Sequence, residues 1–173
     1  IQQQVGLETI IHFTTRDRNL MAIQSELIGA HALGVRNVIA LTGDPPRVGD
    51  YPNATAVWDV DSVGLISILT KLNQGSDFSG NSIARPTNYC IAAAVTPTAP
   101  DLAREKERLR RKIEAGAHLV MTQPLYTTED LDRFLSGEHV RVSVAPWRAR
   151  LRPLAWVLPP SAALGLLGWA LLA

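Results

Sequence analysis

Between residues 8 and 138, four apolar runs alternate with helix-like segments, and this alternation restricts the fold more than any other feature of the chain. The runs are "TIIHFTT" (9–15), "NVIALTG" (37–43), "YCIAAAV" (89–95) and "LVMTQPL" (119–125). Between them stand "LMAIQSELIGAHALG", "DSVGLISILTKLNQG" and the charged "APDLAREKERLRRKIEAGA", with "TEDLDRFL" behind the last. Asn19 is placed to cap the first helix, and Gly34, Gly75 and Gly116 to close the three long ones. In the charged helix, Leu102, Leu109 and Ile113 form the expected inner stripe. A faint repeat, "AHALGVRNVIAL" against "KIEAGAHLVMT", preserves the order helix, Ala, Gly, strand. Strands apolar on both faces, alternating with helices, imply a parallel sheet covered by helices. Right-handed βα units then build either an open doubly wound sheet or a (β/α)8 barrel. No Gly-rich phosphate loop follows any strand, which favours the barrel. Four strands are too few to close one. The expected class is therefore α/β, with residues 1–138 forming part of a TIM barrel.

Composition removes several alternatives. At 173 residues and 46% hydrophobic content the chain can bury one sizeable core. A net charge of +1 offers no electrostatic case for nucleic acid. The single cysteine, Cys90, excludes an internal disulfide framework and a cysteine-rich zinc site, and makes a reducing, cytoplasmic setting the default. His12, His31, His118 and His139 lack metal-ligand spacing, so no metal is expected. Residue 1 is Ile rather than Met, as expected of a chain cut at its N-terminus. Residues 139–173 contain no Asp, Glu or Lys, but four arginines and three of the four tryptophans. This atypical tail reads as a truncated or out-of-frame end. A membrane anchor is the alternative, against which Pro159, Pro160 and the short uncharged span of residues 153–173 count.

The chemistry is expected where strands end, because in such folds the carboxyl ends of the strands face the ligand. "ALTGDPP" (40–46) is the most informative of these ends. Pro45 and Pro46 can continue neither a ladder nor a helix, so pairing stops at Asp44. Asp44 is either a turn aspartate bonded to its own backbone or a carboxylate displayed to a ligand. With it cluster His12 and Thr14, Thr42, Thr96, and Thr122 with Gln123. The set is mostly neutral and hydrogen-bonding, with one fixed carboxylate. It contains no nucleophile with a base, no paired carboxylates and no metal cage. It suits a flat, amide-bearing heterocycle and the steadying of one positive charge, and it suits hydrolysis poorly. His12 read as a packed histidine, Gln123 bonded to backbone, and Arg111 and Lys112 as a solvated helix face are the structural alternatives.

"ALTGDPP", "GDYPNATAVWDVDSVGLI", "PTAPDLAREKERLRRKIEAGA" and "MTQPLYT", in this order and spacing, resemble the methylenetetrahydrofolate reductase family. The reductase half of bifunctional homocysteine methyltransferase/methylenetetrahydrofolate reductase proteins is the most similar. The resemblance covers about residues 8–138 and implies about strands 3–7 of an FAD-containing (β/α)8 barrel. It implies NAD(P)H as reductant and conversion of 5,10-methylenetetrahydrofolate to 5-methyltetrahydrofolate, in one-carbon and methionine metabolism. Asp44 then stands beside flavin and folate as the catalytic carboxylate, and Gln123 binds the pterin. His12, Thr42, Gly43, Asp44, Trp58, Thr96, Arg111 and Lys112 fall at FAD-contact positions. The small-molecule folate is the implied partner, with room for a homo-oligomer in the intact protein. The family's general-acid glutamate on the first barrel strand has no counterpart in this sequence, and neither has the zinc-binding methyltransferase half. Residues 1–173 by themselves are thus expected to be an inactive fragment. A non-catalytic remnant and a flavin-free pterin-binding barrel are the competing readings.

Overall fold

The computed structural model of the chain describes residues 1–136, so the expectations for the tail at 139–173 lie outside the described residues. The elements in chain order are α1 (Gln2–Val5), β1 (Ile10–Thr14), α2 (Leu20–Ala32), β2 (Asn37–Leu41), a 3-10 turn (Pro46–Val48) and α3 (Ser62–Asn73). They continue with β3 (Cys90–Val95), α4 (Leu102–Glu114), β4 (Leu119–Thr122) and α5 (Thr128–Leu135). The strands form one sheet in the order β1-β2-β3-β4. The β1–β2 and β2–β3 pairs are parallel, with Ile11 beside Val38 and Val38 beside Ile91. Four sequential strands without a reversal of order form a run of consecutive (β/α) barrel units, whereas doubly wound sheets reverse direction at a switch point.

By their contacts, residues 1–93 and 111–119 form one compact unit, and the described part of the second is 94–110 with 120–136. In the first unit the two faces of the sheet differ. Ile11, Phe13, Val38, Ala40, Ile91 and Ala93 pack into the core with Ile23 and Leu27 of α2 and Leu65, Ile66, Ile68, Leu69 and Leu72 of α3. Each fully buried Val, Leu, Ile or Phe among them contributes about 1.5–3 kcal/mol, the alanines less, and Ile11 is only partly buried. The opposite face carries His12, Ile39 and Ala92 in one row, and there His12 is exposed. Both covering helices start on side-chain caps: Asn19 accepts the Ala22 N–H, and Asp61 accepts the Gly64 N–H. Tyr89 is buried, and its hydroxyl donates to the Leu27 carbonyl, joining the chain before β3 to α2.

α4 departs from the expected stripe. Leu109 is buried as expected, but its buried companions are Glu105 and Lys112, while Leu102 and Ile113 are only partly covered. Glu105 tolerates burial because its carboxylate accepts the Thr96 N–H at 3.0 Å. Just past the helix, Gly116 has a left-handed φ of 111°, and a Cβ there would collide with the Thr70 hydroxyl oxygen.

Candidate functional site

In the first unit, β1 and β2 continue to pair past their regular ends. Thr15 N–H donates to the Leu41 carbonyl at 3.2 Å and Arg16 N–H to the Thr42 carbonyl at 3.1 Å. The chain then turns at Gly43 with φ 88°. A Cβ there would approach the Cβ atoms of Arg16 and Thr14 at 3.2 and 3.3 Å, so the conformation favours glycine and the space is tight for anything larger. Asp44 follows on the outside of this turn, exposed. Among the described residues its carboxylate accepts no hydrogen bond, and its main-chain oxygen accepts Arg16 Nη1–H at 2.8 Å. Asp44 does not cap its own backbone. The turn-aspartate alternative therefore has no hydrogen bond to support it.

The other positions in this unit differ in how free their side chains are. The Thr42 hydroxyl is occupied: it accepts the N–H of Ser62, the first residue of α3, at 3.0 Å. His12 is exposed on the sheet face away from the helices, so it is not a packed histidine. Trp58 is 49% exposed, in the connection whose Val57 N–H donates to the Arg16 carbonyl at 2.7 Å. Arg111 and Lys112 occupy the last turn of α4, which leads into β4. Arg111 is exposed and Lys112 buried. In the second unit, Thr96 spends its N–H on Glu105, and the Gln123 N–H donates to the Val95 carbonyl at 3.2 Å. The Gln123 side chain is exposed, not bonded to backbone among the described residues.

Two residues at the end of β1 escaped the sequence reading. Arg16 and Asp17 form a forked ion pair, Nε to Oδ1 at 2.6 Å and Nη2 to Oδ2 at 2.7 Å. The hydrogen bond donated to Asp17 raises the pKa of Arg16, with smaller contributions from the Asp17 and Asp44 charges, and the same bond holds Asp17 below the ordinary carboxylate range. The only signal for them was "TRDR", opposite charges packed immediately after an apolar strand. Glu105 was equally hidden, inside a helix whose charge looked solvated.

The unreversed parallel sheet, with polar groups at its carboxyl ends, defines an α/β protein of the barrel class. The model of the methylenetetrahydrofolate reductase family matches residues 1–146, and the chain belongs to that family. It is 31% identical to methylenetetrahydrofolate reductase 2 of Saccharomyces cerevisiae, over 78% of this chain and 21% of that protein. It is 29% identical to a probable methylenetetrahydrofolate reductase (NADH) of Oryza sativa subsp. japonica, over 79% of this chain and 23% of the rice protein. The chain thus spans about a fifth of the length of these relatives. A solved dihydrodipicolinate synthase from Rhodopseudomonas palustris matches 72% of this chain and 36% of its own at 19% identity and a TM-score of 0.42, too distant to bear on the site.

Proposed function

We propose that this chain contributes part of the active site of an FAD-dependent reductase that converts 5,10-methylenetetrahydrofolate to 5-methyltetrahydrofolate. The observation that carries the reading is Asp44: an exposed carboxylate, free of hydrogen bonds among the described residues, held at a strand end by a left-handed turn that favours glycine. Opening the methylene bridge of the folate creates an iminium cation, and a fixed anion in place beforehand stabilises that charge as it develops. Gln123 offers an amide, donor and acceptor together, to the matching edge of the pterin. FAD, when bound, would carry hydride from NAD(P)H to the methylene carbon.

Within the first unit, several groups have the chemistry a flavin would use. His12 and Trp58 are open to a flat ring and Gly43 offers main chain after β2, while in the second unit Thr96 would supply a hydroxyl. Thr42 would act through its main chain, since its hydroxyl serves α3. Exposed Arg111 would meet phosphate charge, whereas Lys112, assigned the same role by the resemblance, is buried. The rice relative's name specifies NADH, which supports a pyridine nucleotide as reductant. Among the described residues no helix is long and apolar enough to cross a membrane. We assign residues 1–138 to the reductase domain and take its setting to be cytoplasmic.

Asp44→Asn in the whole protein tests the reading. Folate reduction should slow roughly 30- to 1000-fold, for a loss of about 2–4 kcal/mol, while flavin reduction by NAD(P)H keeps its rate. Stopped-flow measurement of the two half-reactions separates the outcomes. Equal slowing of both would remove Asp44 from the role.

A further inference from the structure

Arg16 binds together three segments of the first unit. Its N–H reaches the Thr42 carbonyl, its carbonyl receives the Val57 N–H, and its Nη1–H holds the Asp44 main-chain oxygen. Its Nε–H and an Nη2–H both donate to the Asp17 carboxylate. Arg16, Asp17 and Asp44 together carry one net negative charge, and the geometry decides where that charge resides. The fork of Asp17 is satisfied on both oxygens, whereas the carboxylate of Asp44 is left open.

We propose that Arg16 and Asp17 are a positioning pair for Asp44: Arg16 fixes the Asp44 turn through its main-chain oxygen, and Asp17 occupies the guanidinium so that it does not neutralise the Asp44 carboxylate. The inference rests on the reading of Asp44 given above. Without Asp17, the guanidinium already bonded to the Asp44 backbone has a carboxylate within the same residue to turn to. A charge-assisted bond to it would replace a displayed anion by a closed ion pair. Such a pair cannot stabilise a developing cation. Asp17 therefore acts on the reaction through Arg16, without touching substrate.

The test is a double-mutant cycle between Asp17 and Asp44 in the whole, flavin-loaded protein. Asp17→Asn should slow the folate half-reaction and weaken equilibrium folate binding, each about 2- to 5-fold as for an exposed ion pair, with flavin reduction unchanged. Asp17→Glu should restore both. In an Asp44→Asn background, Asp17→Asn should cost nothing further, because no anion remains to be neutralised. A merely structural Asp17 would cost the same in both backgrounds, and that additivity would overturn the proposal. Asp17 is exposed, so the variant is expected to fold. If Asp44→Asn slows folate reduction while Asp17→Asn does not, the pair fails and the reading of Asp44 survives. If Asp44→Asn itself has no effect, the reading of Asp44 is what fails.

Discussion

Asp44 and Gln123 are both exposed polar side chains at strand ends, yet they are set there by different means. Asp44 depends on the left-handed turn at Gly43 and on the grip of Arg16. Gln123 depends on one ladder bond, from its N–H to the Val95 carbonyl, and on Pro124, which ends pairing immediately afterwards. Its amide can pair with a pterin edge but has no claim on phosphate. Gln123→Ala is therefore expected to weaken folate binding by about 1–3 kcal/mol and to leave FAD content unchanged. Equilibrium folate titration beside flavin absorbance of the purified variant reads both quantities. A variant that loses its flavin would move Gln123 from the folate to the cofactor.

At the scale of elements, the start of β3 is locked by a histidine. The Ile91 N–H donates to His118 Nδ1 at 3.2 Å, while the His118 N–H donates to the Ile91 carbonyl at 2.8 Å. An imidazole that accepts at Nδ1 must be neutral and carry its proton on Nε2. Burial agrees, lowering the pKa of His118 below its ordinary 6.5. The unfolded chain then binds a proton near pH 6.5 that the folded chain refuses until lower pH. Stability is complete above that range and falls as pH drops below about 6.5. Urea unfolding midpoints at pH 7.5 and 5.5 should differ in that direction, and His118→Gln should reduce the difference. A midpoint difference unaltered by the substitution would assign the pH dependence to other groups. α4 teaches a related point. Its existence was legible from Leu109, Gly116 and the charge pattern, but its buried stripe was not, because a carboxylate such as Glu105 enters a core only when a specific N–H awaits it.

For the whole molecule, the number of strands is the limiting quantity. The described residues supply four parallel strands, and a (β/α)8 sheet removes its edges only by closing. We therefore expect residues 1–173, expressed alone, to show no folate-dependent NAD(P)H oxidation. Flavin absorbance and turnover of that polypeptide are the direct measurements. A yellow protein that turns over would mean that the site is complete in a way the four strands do not reveal.

The amino-acid sequence by itself determined the class of fold and the order of its elements. Apolar runs such as "NVIAL" and "CIAAAV", the cap Asn19, and stops such as Gly34 and Gly75 act over a few residues, and local chemistry is enough to read them. It also placed Asp44 just past the end of β2, since two prolines stop the ladder there. Tertiary structure decided what each polar side chain is free to do. The Thr42 hydroxyl is bound to the start of α3, twenty residues away, and the Asp44 backbone is gripped by Arg16, twenty-eight residues away. Such commitments depend on which strand lies beside which and in what register, and periodicity along a single segment carries no record of its neighbour.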